Sequence, residues 1–124
     1  MKLKRALAVA AVTAGITFGM SAPASAASCP AGWFCLYYNS NLGGAKYQFY
    51  WDQIDLYNKT FDNTGAGAGQ IVKNNAASAH NNSVTDFAKV YYNSNFSGPY
   101  DFFSWRESGN LVNTYNENAS VEIY

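Results

Sequence analysis

The stretch Tyr37-Tyr38-Asn39-Ser40-Asn41-Leu42-Gly43-Gly44 returns as Tyr91-Tyr92-Asn93-Ser94-Asn95-Phe96-Ser97-Gly98, an offset of 54 residues. The register extends forward to Phe49 and Phe103 and back to the apolar pair Leu36 and Val90. Each copy reads as an aromatic strand, a tight hairpin of Asn, Ser and Gly, and a second aromatic strand. Asn and Gly enter left-handed backbone at little cost, which a tight reversal demands. Two such units predict one pseudo-symmetric all-β domain.

A second repeat pairs Asn74-Asn75-Ala76-Ala77-Ser78-Ala79 with Asn116-Glu117-Asn118-Ala119-Ser120-Val121, now at an offset of 42. The drop from 54 to 42 gives the first unit about a dozen extra residues, and the run Asn63-Thr64-Gly65-Ala66-Gly67-Ala68-Gly69 is the expected place for them. Insertions in surface loops add little closure entropy. Those glycines predict a flexible loop.

The strands follow from alternation and aromatic content. Trp33 to Tyr38 is expected to place Leu36 and Tyr38 on one face and Cys35 and Tyr37 on the other. Lys46 to Trp51 is the return strand. Further strands are expected over Gln70–Lys73, Thr85–Tyr92, Tyr100–Trp105, Leu111–Asn113 and Ser120–Tyr124, a spacing that suits an antiparallel sandwich with no long helix. Asp52 to Asp62 fits a short helical turn and an irregular strand equally well.

Residues 1–26 read as a secretory signal: Lys2, Lys4 and Arg5 precede an apolar run from Ala6 to about Met20, and Ala24-Ser25-Ala26 supplies a cleavage site. Removal leaves 27–124, 98 residues, enough for one domain with a modest core. That part carries five basic and eight acidic residues, a net charge of −3. Without a Lys/Arg cluster it offers no electrostatic footing for nucleic acid or an anionic membrane. Cys29 and Cys35, its only cysteines, predict a structural disulfide that an extracellular setting would keep oxidised. Closing so short a loop stabilises by about 2 kcal/mol on the chain-entropy estimate.

The pattern Tyr91…Phe96-Ser97-Gly98, and more loosely Tyr37…Leu42-Gly43-Gly44, resembles the folded hairpin of βγ-crystallin Greek keys. The opening Cys29-Pro30-Ala31-Gly32-Trp33-Phe34-Cys35-Leu36-Tyr37 resembles secreted actinobacterial proteins grouped as peptidase inhibitor family I36, which share that fold. The resemblance implies a βγ-crystallin-like sandwich of two Greek keys, about 29–84 and about 85–124. It also implies a secreted, extracellular proteinase inhibitor, with metalloproteinases as candidate targets. The studied inhibitor type carries a second disulfide at its inhibitory loop, whereas no cysteine follows Cys35 here, so the inhibitory loop is left unassigned. Asp62 to Gln70 is one place to look. The expected partner is a secreted protease, met by a monomer.

Asn74-Asn75-Ala76-Ala77-Ser78 also resembles the superfamily's calcium motif. The resemblance makes Asn75, Ala76 (carbonyl) and Ser78, with Glu117, Asn118 (carbonyl) and Ser120 from the opposite loop, candidate donors for Ca2+, an ion that takes six to eight oxygens. Ala79 and Val121 replace the closing Ser of the motif, and only Glu117 brings formal charge, so weak affinity is expected. The alternative expectation is a calcium-linked structural, envelope-directed or toxin-like protein. Catalysis is not expected: His80, the only histidine, reads as a surface or edge-strand residue, and the carboxylate pairs Asp52/Asp55 and Glu117/Glu122 read as surface groups. Trp51, Trp105 and several Tyr could stack on carbohydrate, but large side chains at alternating strand positions are first expected to fill the core.

Overall fold

A computed structural model describes residues 28–124; the expected signal segment, 1–26, lies outside the described residues. Among the described residues there are seven strands: β1 (Phe34–Asn39), β2 (Gly43–Phe49), β3 (Ser78–Asn81), β4 (Ala88–Asn93), β5 (Ser97–Phe103), β6 (Ser108–Asn110) and β7 (Ser120–Ile123). They form two antiparallel sheets, ordered β2-β1-β3-β6 and β5-β4-β7. Each half lends a piece to the other's sheet. β6 pairs with β3 in the first sheet, and Gln53 bridges Val121 of β7 in the second. This is the exchange of two Greek keys, and it makes the all-β expectation correct.

The duplicated hairpins reproduce each other in ladder register. Leu36 pairs with Tyr47 and Val90 with Asp101, and the register slips just before Asn39 in one copy and just before Asn93 in the other. Leu42 and Phe96 both sit at positive φ, 59° and 55°, where a bulky residue is uncommon. A serine from the Asn/Ser motif of the same half holds each there. The Leu42 amide donates to Ser78 Oγ at 2.9 Å and the Phe96 amide to Ser120 Oγ at 3.1 Å. Each hydroxyl in turn donates to a hairpin carbonyl, Asn39 at 2.7 Å or Asn93 at 2.6 Å. Gly98 follows at φ 87°, where a Cβ would come within 2.6 Å of the Asn93 amide group.

Side-chain alternation sets the core. Phe34, Leu36, Ala45, Phe49, Ala79, Ala88, Val90, Phe103 and Val121 point between the sheets, with Leu56, Phe61, Val72 and Leu111 closing the ends. Burying a Leu or Val side chain contributes roughly 1.5–3 kcal/mol, so these positions supply most of the driving force. As expected, Leu36 and Tyr38 face this core. Cys35 and Tyr37 face a second cluster with Cys29, Trp33 and Leu42. The Cys29–Cys35 disulfide lies in it and fastens the N-terminal turn over the outer face of the first sheet.

Several expected boundaries move, each for a local reason. The strand expected at Leu111–Asn113 lies instead at Ser108–Asn110, because the amides of Val112, Asn113 and Thr114 donate to the Asp101 carboxylate rather than to a ladder. Thr85–Tyr92 starts only at Ala88, since Ser83 Oγ takes the amides of Thr85 and Asp86 in a turn. Gln70–Lys73 reduces to one bridge, Thr60 with Ile71. Asp52 to Asp62 is neither helix nor strand, and its two bridges join it to the sheet edge and to the returning chain.

The Gly-rich run is tied down rather than loose. Ala66 accepts from the Ala45 amide at 2.8 Å, and Asp62 accepts from the Lys46 amide at 3.1 Å, so the loop covers the open edge of β2. Gly67 lies flat on the Tyr38 ring, where a Cβ would sit 2.2 Å from Cγ. Its glycines serve close approach.

Candidate functional site

The two Asn/Ser motifs meet across the pseudo-two-fold. The Asn74 amide donates to the Asn118 carbonyl at 2.8 Å, and the Asn116 amide to the Ala76 carbonyl at 2.9 Å. Asn74 and Asn116 both take positive φ, 63° and 54°. Asn118 goes further than its counterpart Ala76. Its buried side chain accepts from the Ala76 amide at 3.0 Å and donates to the Val72 carbonyl at 2.9 Å, stitching one loop to the other.

All six candidate calcium donors therefore lie in two facing loops, but most of their oxygens already have work. Ser78 and Ser120 are fully buried and hold the hairpins. The carbonyls of Ala76 and Asn118 each accept one amide and keep one lone pair. Asn75 donates its side-chain amide to the Ile71 carbonyl at 2.8 Å, which leaves its oxygen for another partner. Glu117 is exposed. Beside these loops a polar cleft of about 270 Å³ is lined by Tyr38, Asn39, Ser40, Asn75, Ala77, Tyr115 and Asn116. The donor set fits a hard, weakly held cation and lacks the charge for a tight one.

A second constellation was not singled out by sequence reasoning. Trp51, Ile54 and Tyr57 are 59%, 59% and 65% exposed, and they rim a cleft of about 350 Å³ that also takes in Asp52, Asp55, Asn58 and Lys59. The backbone beneath is fixed. Gln53 exchanges both amide–carbonyl bonds with Val121 at 2.9 Å, the Leu56 amide donates to Ala119 at 2.9 Å, and the Asn95 amide donates to the Ile54 carbonyl at 3.0 Å. Leu56 is fully buried. Lys73 holds Asp55 at 3.1 Å and reaches Ser94 Oγ at 3.1 Å. The Lys73 ammonium beside Asp55 keeps that carboxyl below the usual carboxylate range.

His80 is not on an edge: β3 runs between β1 and β6, and the imidazole is half-buried. Burial, then the nearby Arg106 charge, lowers its pKa. The carboxylate pairs are divided among structural duties. Asp52 accepts from the Ile123 amide at 2.8 Å, Asp55 from the Tyr57 amide at 3.1 Å, and Glu122 from the Tyr91 hydroxyl at 2.9 Å. The expectation that aromatics fill the core holds for Phe34, Phe49, Phe61 and Phe103, and fails for Trp51 and Trp105, which stay exposed.

The sequence model of peptidase inhibitor family I36 matches residues 22–103, which run from before the disulfide to the end of β5. The chain belongs to peptidase inhibitor family I36. Solved structures place this I36 chain in the βγ-crystallin fold. A domain solved in work on the evolution of the eye-lens βγ-crystallin fold superposes with a TM-score of 0.63 at 14% identity, over 81% of this chain and 93% of that one. A βγ-crystallin from Ciona intestinalis gives 0.53 at 17% identity, over 75% and 100%. A βγ-crystallin domain from Clostridium beijerinckii gives 0.54 at 20% identity, over 74% and 97%. At these identities the likeness is one of fold. Among curated proteins, none matches the I36 chain significantly in sequence.

The signal nearest to the exposed rim was the offset change, because the rim leads into the extra residues. Gln53 matches Gly109, their partners Val121 and Ala79 being equivalent, and Leu56 matches Leu111, whose amides donate to the equivalent carbonyls of Ala119 and Ala77, so the extra residues fall between Tyr57 and Lys73. The Gly-rich run lies within that span, as expected, and its glycines drew attention away from the rim that precedes it.

Proposed function

We propose that this I36 protein is a secreted inhibitor of extracellular proteinases, metalloproteinases first among them, that occupies its target without catalysing a reaction. The observation that carries the reading is the family match over residues 22–103. The scaffold supports it, because blocking a cleft by occupancy requires a surface that loses little freedom on binding, and the exposed segments here are hydrogen-bonded at their bases. The basic-then-apolar N-terminus supports export. Titrating the purified protein against a panel of secreted metallo-, serine, cysteine and aspartic proteinases tests it. Inhibition of at least one metalloproteinase at or below micromolar concentration is expected. Full activity of every enzyme at micromolar protein would overturn the reading.

A second reading, calcium binding of the structural type, is favoured by one observation: the two Asn/Ser loops face each other with carbonyl and Asn75 oxygens still able to accept. Asn75, Ala76 and Ser78 with Glu117, Asn118 and Ser120 would hold the ion, and Ca2+ would brace the loops. Titration calorimetry is expected to show millimolar-range binding and a calcium-dependent rise in melting temperature. No heat and no shift at millimolar calcium would remove the site.

A further inference from the structure

We infer that the segment from Trp51 to Lys59 is the inhibitory element, and that Trp51, Ile54 and Tyr57 dock into the substrate cleft of a secreted proteinase whose subsites take large apolar side chains. This rests on the reading of the protein as a proteinase inhibitor.

The segment ends where the first half leaves the pattern that the second half keeps. In the second half the chain passes from Leu111 to the turn at Asn116 in five residues, whereas the first half runs from the equivalent Leu56 to Asn74 and still builds the same hairpin and the same facing loop. At this departure the segment is held by Leu56 in the core, by backbone bonds to β7 and to the Asn95 turn, and by Lys73 beneath. Rigid attachment with three large apolar side chains left in solvent is wasteful for folding and suited to binding. No second disulfide is available to stiffen a loop, and the Leu56 anchor with its hydrogen bonds performs that task.

The chemistry of the rim selects the occupant. Asp55 is neutralised by Lys73, and Asp52 accepts the Ile123 amide, so the surface offers apolar bulk with polar groups engaged below it. A substrate cleft built to receive side chains of a bound chain matches spaced, protruding groups. In another exposed aromatic field, Phe102 and Trp105 pack their rings on Phe87, which also meets Tyr124, much as Trp51 packs on Tyr50, whereas Ile54 and Tyr57 have no ring partner among the described residues.

The test uses a proteinase that the wild-type protein inhibits in the panel above. An Ile54→Ala/Tyr57→Ala double variant is expected to raise the inhibition constant about thirtyfold or more, the loss typical of central contact residues, with melting temperature unchanged since both side chains already lie in solvent. A Phe102→Ala/Trp105→Ala variant is expected to inhibit within about twofold of wild type, outside hot-spot range. A single Ile54→Lys variant guards against misfolding of the double one and is expected to weaken inhibition likewise. Unchanged inhibition by folded rim variants would overturn the assignment. So would loss of inhibition in the Phe102/Trp105 variant alone, or a rim change that alters only self-association by light scattering or only saccharide binding. A wild-type protein that inhibits nothing fails earlier, and overturns the parent reading itself.

Discussion

The two halves of the molecule agree where the chain turns and disagree where it wanders. Both hairpins place a bulky residue at positive φ and both restrain it with a serine hydroxyl from the Asn/Ser motif of the same half. The first half alone carries the long excursion, and the turn closed between Cys29 and Cys35 packs on its sheet. What recurs is what the fold requires. What occurs once has been added to it, and the excursion is fastened as firmly as the parts that recur.

That contrast breaks first at Leu56. Leu56 matches Leu111 and is the point from which the excursion departs, and it is fully buried in the shared core. Leu56→Ala is expected to lower unfolding free energy by about 2–5 kcal/mol in urea denaturation. A loss below 1 kcal/mol, within surface-substitution range, would make the segment an independent flap.

Asn118 comes next, the buried position where a polar side chain in one motif faces an apolar one, Ala76, in the other. Asn118→Ala leaves the Ala76 amide buried without a partner and takes one of two donors from the Val72 carbonyl, which keeps the Asn75 amide, and is expected to cost about 1–3 kcal/mol. Ser78→Ala and Ser120→Ala probe the symmetric part. Each removes a hydroxyl that both accepts from and donates to its hairpin, so the two losses should be of similar size, about 1–3 kcal/mol each. Equality sharpens the comparison. A large difference would show that one hairpin carries strain the other does not.

How much of this was legible beforehand follows from the same contrast. Duplication is written in side chains, so the hairpins, the face assignment of Leu36 and Cys35 and the pairing of the two motifs could be read from Tyr37, Asn41, Gly44 and their copies. The swapped pieces could not. Gln53 joins the second sheet through a single bridge, and β6 is Ser-Gly-Asn, a sequence with no strand preference that pairs because β3 leaves an edge to fill. Leu111 and Val112 looked more like a strand, yet Asp101 captures the amides there. The rim was missed because exposure of Ile54 and Tyr57 depends on where Leu56 is buried, a tertiary fact that apolar spacing alone leaves open.

Smaller effects come from ionisation. Burial pushes the Asp62 carboxyl up, but hydrogen bonds from the Thr64 side chain and from the Lys46 and Thr64 amides, with the Lys46 charge, outweigh it and leave the pKa lowered. The pKa of His80 is lowered as well. For a group with a depressed folded-state pKa, stability is present above the unfolded value and is lost as pH falls through the folded one. Melting temperature should therefore drop first as pH passes below about 6.5, from His80, and again below about 4, from Asp62. Tyr91, buried and bonded to Glu122, is pushed up to about 12. Its raised value acts oppositely, so that contribution is intact below about pH 10 and fades above it. His80→Gln should flatten the first step, and an unchanged profile would remove the histidine from the account.

The weakest expected effect is also the most discriminating. Asp55 and Lys73 form an ion pair whose side chains are 47% and 26% exposed, so breaking it with Asp55→Asn should change global stability by less than about 1 kcal/mol, and less still in high salt. The pair lies under the rim rather than in the core, however, and Asp55 also receives the Tyr57 amide. An Asn at this position keeps that acceptor and removes only the charge that draws Lys73 in. If the rim binds a proteinase, the variant should weaken inhibition several-fold while leaving unfolding nearly untouched, because freedom regained by the segment must be lost again on docking. Equal inhibition by Asp55→Asn and wild type, at low and high salt alike, would mean that the backbone bonds to Val121 and Ala119 hold the segment unaided.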